Sequence, residues 1–223
     1  CTLLAKANKV AMFIGHNCSH AYKEITKFAK MINAPFVTAP MGKRWVDESD
    51  PMYAGVYGYA GHDSARELFK NNDFDLILAI GTSLGEMSIG KWEAEILNKK
   101  LIHIDSSIEN FSRSPMAKLH VFGHLDAIFN RLIESVQEAK YWGRIWNKDI
   151  NFNQTVNSQL SYFSLLDEDK CQSSDTPIKP QRLMSWLNQN LPIDSRLYID
   201  TGNAWAWCTH YIVSKNNQGN YRI

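Results

Sequence analysis

The sequence predicts an α/β domain built on a doubly wound, mostly parallel sheet with helices on both faces. Three observations carry that prediction. Short apolar runs recur along the first two thirds of the chain, several ending in Gly, as in VAMFIG (10–15) and FDLILAIG (74–81). These runs are continuously apolar rather than alternating, the pattern of strands buried from both sides in a parallel sheet. Stretches with helical spacing of apolar residues separate them, and such β–α alternation folds as a covered parallel sheet.

Taken in order, the chain opens on the helix-like CTLLAKANK, and residues 10–15 form the first strand. In SHAYKEITKFAKMINA (19–34), Ala21, Ile25, Phe28, Ala29 and Ile32 fall on one helical stripe. Ser19 is placed to cap this helix, because its hydroxyl can satisfy a free amide of the first turn. APFVTA (34–39) is the second strand, bracketed by Pro35 and Pro40. FDLILAIG, KLIHID (100–105) and KLHVFG (118–123) are further strands, with helices over 63–70, 92–97 and 125–139. Residues 141–178 are rich in Asn, Gln, Ser and Asp and read as a helical tail and linker. KPQRLMSWLNQNLP (179–192) then forms an amphipathic helix, with Pro180 at its start and Leu183, Trp186, Leu187 and Leu191 turned inward. RLYID begins a second αβ unit, whose turn TGNAWAW leads into another helix.

The bulk properties exclude several function classes. A net charge of +1, with no Lys/Arg cluster, gives no electrostatic grip on nucleic acid or an anionic membrane. No stretch approaches the roughly 20 apolar residues of a membrane span, and no secretory signal is present. The four cysteines are scattered, with no CxxC pair and no His at metal-ligand spacing. They read as reduced thiols of a cytoplasmic protein without a metal site.

In an open parallel sheet, ligands meet the carboxyl ends of the strands, where loops and helix starts offer free amides. Those ends hold Gly15, His16 and Asn17, then Gly42 with Lys43, then Gly81, Thr82 and Ser83, then Asp105 and Ser106, then Gly123 and His124. Gly admits close approach of a ligand, hydroxyls and amides suit phosphate or ribose, and Asp can accept from a ribose hydroxyl. Together they outline a nucleotide-shaped groove. The alternative is that these residues simply make the turns the fold needs. Neither a GxGxxG run nor a Walker A sequence follows the first strand, which argues against a dehydrogenase or kinase. His103 reads as a core residue and His120 as solvent-facing; His16, His62 and His124 lie in loops without an evident partner. No catalytic residue is assigned.

Several segments become specific when read together. APFVTAPMGK, DESDPMYAGVYG, DLILAIGTSL, KLIHIDSSIENFSR and LHVFGHLDAIFNRL follow one another at the order and spacing of a known domain. The chain resembles the Rossmann-like middle domain of thiamine-diphosphate-dependent enzymes of the acetolactate synthase, pyruvate oxidase and 2-oxoacid decarboxylase group. The resemblance spans most of residues 1–140 and brings Gly58, in GVYG, into the groove set. IKPQRLMSWLNQNLPIDSRLYIDTGNAWAW (178–207) looks like the opening of that family's diphosphate-binding domain, which places Gly202, Asn203 and Ala204 beside the cofactor's phosphates.

The resemblance implies a middle domain over 1–140, a tail and linker over 141–178, and the start of a thiamine diphosphate (ThDP) domain over 179–223. It implies a ThDP- and Mg2+-dependent lyase or transferase that decarboxylates a 2-oxo acid, with or without carboligation, as a homodimer or homotetramer. The family's activating glutamate and its GDG...N metal motif are not in this sequence, so the expectation is an inactive piece of a longer enzyme with a loosely packed 180–223 segment. FAD or ADP in the middle domain, or no ligand, remain open. GHNCSH stands where FAD-binding relatives have a Gly-rich run, GVYGYAGH where they have a Met-His-Gly loop, and Gly123-His124 where they have Gly-Asp. The rival readings are a non-catalytic nucleotide-binding module and a structural dimerisation module.

Overall fold

The computed structural model describes residues 1–141, 164–192, 195–213 and 221–222. Six strands form one sheet: β1 (Val10–Ile14), β2 (Phe36–Thr38), β3 (Tyr53–Val56), β4 (Leu76–Ile80), β5 (Leu101–Asp105) and β6 (Leu119–Phe122). Their order is β3-β2-β1-β4-β5-β6, and every neighbouring pair is parallel. The chain therefore winds outward one way from β1 and the other way from β4, as the sequence predicts for a doubly wound sheet. The reversal puts the β1 and β4 ends side by side at the switch point, where such sheets collect ligands.

Strand alternation divides the core between two faces. Met12, Ile14, Leu78 and Ile80 meet α2 (Tyr22–Met31) and α5 (Leu125–Tyr141) through Ile25, Phe28, Phe129 and Ile133. Phe28 and Phe129 pack edge to face with ring centroids 5.6 Å apart. On the opposite face, Ala11, Phe13, Ile77 and Ala79 meet Ala65, Leu68 and Phe69 of α3 (Asp63–Lys70). The remaining elements of this unit are α1 (Thr2–Lys6), α4 (Glu86–Ile89) and two 3-10 turns over Pro40–Trp45 and Ile108–Arg113.

Three local expectations change. The helix after β1 begins at Tyr22 with Ala21, not Ser19, at its cap. Residues 92–97 are turns rather than helix: Trp92 has φ +59°, and the Asn98 amide donates to the Ala94 and Glu95 carbonyls. Asn and Asp compete with helix hydrogen bonding in this way. β3 is an additional strand, obscured in the sequence because Gly55, at φ +108°, interrupts a run of only four residues.

The second unit contains a 3-10 turn at Glu168–Gln172, α6 (Pro180–Asn190), β7 (Leu197–Tyr198), α7 (Asn203–Tyr211) and β8 (Tyr221–Arg222), with β7 and β8 parallel. Its core is small: Cys171, Met184, Cys208, Tyr211 and Ile212. α6 is rotated from the predicted stripe. Gln181 and Met184 are buried and Leu187 of that stripe packs against the core, whereas Leu183, Trp186 and Leu191 are exposed. The helix packs against both α7 and the Glu168–Gln172 turn, so contact geometry sets its inward face. Most of the predicted tail and linker lies outside the described residues. The last turn of α7 is not loosely packed, since Cys208, Thr209, His210 and Tyr211 are buried. No helix among the described residues is long and apolar enough to cross a membrane.

Candidate functional site

The sheet assembles most of the predicted groove residues along one edge. Gly15 N–H donates to Ile80 O at 2.8 Å, and Asn17 N–H to Gly81 O at 2.9 Å, which locks the β1 end onto the β4 end. Gly81 N–H in turn donates to Ile104 O (2.9 Å), and Gly123 N–H to Asp105 O (3.2 Å). Gly15, His16, Asn17, Gly81, Thr82, Ser83, Asp105, Ser106, Gly123 and His124 therefore share the carboxyl edge from β1 to β6. Gly42 joins them from the turn after β2.

The glycines serve the close approach of chain to chain. A Cβ on Gly15 would overlap the Gly81 carbonyl oxygen and lie 2.5 Å from Thr82 Cβ. One on Gly42 would overlap Ile14 O and sit 2.9 Å from Gly15 O. Gly58 follows β3 at the outer end of the same carboxyl edge, where a Cβ would lie 2.5 Å from Ser88 O of α4.

Asp105 is the unusual group of this edge. It is fully buried; its Oδ1 accepts from Ser107 N–H at 2.8 Å, while Oδ2 has no hydrogen-bond partner among the described residues. A buried carboxylate oxygen is costly without a donor, so this atom is suited to a hydroxyl or amide arriving from outside. His103 does not supply it. Its Nε2 donates to Thr82 O at 2.8 Å and lies 4.0 Å from Asp105 Oδ2, and its Nδ1 accepts from Ser114 Oγ at 2.8 Å. Burial holds the His103 ring below its ordinary pKa. His103 is thus a satisfied core residue, as its sequence context predicts. His120 is exposed, and it also donates to Ser114 O (2.9 Å) and stacks on Phe111. At the switch point, burial and then Arg44 lower the His16 pKa, which Asp105 partly offsets. Cys18 beside it is buried, and burial raises its thiol far from the reactive range.

Gly202, Asn203 and Ala204 lie at the start of α7. Among the described residues, Gly202 has φ +87° and nothing within 4 Å of a Cβ position, no side chain caps the helix, and all three residues are exposed. The amides of an uncapped first turn carry the positive end of the helix dipole and suit phosphate oxygens. Trp205 follows, its ring 4.9 Å from that of Tyr59 and its Nε1 buried without a partner among the described residues. No group of three or more His, Cys, Asp or Glu among the described residues is arranged to hold a metal.

Sequence reasoning missed the polar residues joining the two units. Lys43 Nζ donates to Thr209 O (2.9 Å) and Ile212 O (2.6 Å), and it lies 3.2 Å from Glu48 Oε2. His62 Nδ1 accepts from Val56 N–H (2.9 Å), leaving Nε2 to donate to His210 O (2.9 Å). The His210 ring donates from Nδ1 toward Ala60 and Gly61 carbonyls and accepts from Leu166 N–H at 2.8 Å. A buried lysine next to a turn glycine offers no local pattern; the carbonyls it serves are more than 160 positions away.

Residues 1–132, more than half the chain, match the family model described as thiamine pyrophosphate enzyme, central domain. The chain belongs to the thiamine pyrophosphate enzymes. Its central domain is the six-stranded unit, and the matched stretch ends inside α5. Among similar proteins, a probable acetolactate synthase large subunit of Methanococcus aeolicus is 26% identical over 96% of this chain and 36% of its own length. The acetolactate synthase large subunit of Cyanidium caldarium is 25% identical over 61% of this chain and 23% of its own length. An acetolactate synthase of Mycobacterium avium is 22% identical over 94% of the chain. The chain spans about a third or less of the length of these relatives.

Proposed function

We propose that this chain provides the central domain and the diphosphate edge of a ThDP-dependent enzyme that decarboxylates a 2-oxo acid, with or without joining the product to an acceptor, in the manner of acetolactate synthase. The observation that carries the reading is the exposed, uncapped first turn of α7 in a chain of this family. Gly202, Asn203 and Ala204 would hold the phosphates through backbone amides. The fit is chemical: free N–H groups, a positive dipole end, and open space at Gly202. When bound, ThDP supplies the electron sink that loss of CO2 from a 2-oxo acid requires. The chain's own part is to bind and orient it, with Trp205 and Tyr59 packed beside the amides.

A second ligand, FAD or ADP, is supported at the strand ends by one observation, the buried Asp105 Oδ2 that lacks a donor among the described residues. A ribose hydroxyl is a donor of suitable chemistry. We assign the substrate class from the acetolactate synthase relatives and the oligomer, a homodimer or homotetramer, from the family resemblance.

The test is CO2 release from pyruvate and longer 2-oxo acids by the full-length protein with ThDP and Mg2+, alongside calorimetric titration of ThDP. Saturable ThDP binding with CO2 release supports the proposal. Absence of both overturns it.

A further inference from the structure

Helix α7 is nine residues long, and its two ends differ. The last four carbonyls of an α-helix have no amide partner within the helix. In α7 the last internal bond runs from Ile212 N–H to Cys208 O, which leaves the carbonyls of Thr209, His210, Tyr211 and Ile212. Each of the four accepts from a side chain of another element. Lys43 Nζ serves Thr209 and Ile212, His62 Nε2 serves His210, and Asn188 Nδ2 of α6 serves Tyr211 at 2.7 Å. Asn188 Oδ1 also accepts from Val213 N–H at 2.9 Å, holding the strand-like exit of the helix. At the other end no side chain among the described residues caps the helix.

The donors are themselves held. Glu48 pairs with Lys43 and accepts from Tyr53 OH at 2.8 Å, and Tyr53 OH meets Thr38 Oγ1 at 3.1 Å. Thr38 ends β2 and Tyr53 begins β3, so the anchor is fixed to the sheet. Val56 N–H fixes the tautomer of His62 from β3. The ammonium of Lys43 also sits at the negative end of the α7 dipole.

We propose that Lys43, with His62 and Asn188, is a positioning residue for the cofactor: by clamping the last turn of α7 to the central sheet, it sets where the amides of the first turn point. The proposal rests on the reading of Gly202–Ala204 as the diphosphate edge. A nine-residue helix is a rigid lever of about 13 Å, so a tilt of about 10° at the clamp moves the first turn by about 2 Å. A displacement of that size is large against the tolerance of an oriented site.

The test uses the full-length protein and the double variant Lys43→Met/Glu48→Leu, which removes both buried charges together and leaves no unpaired carboxylate. Hydrogen exchange is read over residues 203–213 and over β1 and β4, and KM for ThDP is separated from kcat at saturating ThDP. The clamp predicts at least about tenfold faster exchange in α7 with β1 and β4 unchanged. It also predicts at least about a tenfold rise in KM for ThDP with kcat within about twofold. A purely structural ion pair predicts KM for ThDP as in the wild type whether or not α7 exchange rises, and an unchanged KM overturns the proposal. A wild-type protein that binds no ThDP instead refutes the diphosphate reading and the role toward the cofactor, while the exchange data still decide the clamp.

Discussion

Acidifying the protein from pH 7.5 to 5.5 acts on its stability through His62, and the size of the effect follows from the ring's surroundings. His62 is buried, accepts from Val56 N–H, and donates to His210 O. Burial first, and the Lys43 ammonium second, push its pKa down from the ordinary 6.5 to about 3. In the unfolded chain the ring takes a proton near pH 6.5. Between those two values the unfolded state binds a proton that the folded state refuses, so stability falls as pH drops below 6.5 and continues falling toward 3. At pH 5.5 the unfolded ring is about ten-elevenths protonated, which costs the fold about 1.4 kcal/mol; at pH 7.5 the cost is below about 0.1 kcal/mol. Burial lowers His210, His103 and His16 as well, and their contributions have the same sign. Urea unfolding followed by tryptophan fluorescence at both pH values measures the loss, with His62→Phe as the comparison. The variant is less stable at either pH, because it orphans Val56 N–H and His210 O. It should nevertheless lose about 1.4 kcal/mol less than the wild type on acidification. Equal losses in the two proteins would show that His62 is not held neutral, and the reasoning would fail.

Three substitutions probe the strand ends and the loop after β4. Gly15→Ala drives a Cβ into the Gly81 carbonyl and the Thr82 backbone, neither of which can turn aside, and should cost about 1–3 kcal/mol. Gly85→Ala meets the flexible end of Arg113 at 3.3 Å and Ser83 Oγ at an ordinary 3.5 Å, and should cost less than about 1 kcal/mol; equal melting temperatures for the two variants would contradict the packing described. Asp105→Asn removes a buried charge with an unbonded oxygen, so the ligand-free protein should gain about 1 kcal/mol while any thermal shift with FAD or ADP shrinks. A destabilisation of that size instead would mean that Oδ2 already has a donor.

The parallel sheet was legible because its signal is local and repeated. VAMFI and LILAI are apolar at every position and LIHID at three of five, and Val10–Ile14, Leu76–Ile80 and Leu101–Asp105 are buried throughout. β6 is the exception at the edge, with Leu119 and Phe122 exposed. Where the signal was weak, competing chemistry decided. Asn98 turned a helical-looking stretch into turns, and Gly55 hid a four-residue strand. The α6 stripe failed for a different reason: with Leu183, Met184, Trp186 and Leu187 spread around the helix, periodicity alone admits more than one inward face.

The strand-end residues were likewise legible as a set, since each lies at or shortly after the end of an apolar run. The sequence by itself determined which residues would share that edge, because a parallel sheet brings all its carboxyl ends to one side. Only the tertiary structure decided what they do there. It showed that Gly15, Gly42 and Gly81 let neighbouring loops touch, and that Asp105 keeps one buried oxygen without a donor among the described residues. It also brought Lys43 and His62 to the last turn of α7, across separations of 166 and 148 positions. Hydrophobic periodicity is a property of neighbours along the chain, whereas hydrogen-bond partners for a helix end are chosen by where the chain returns in space.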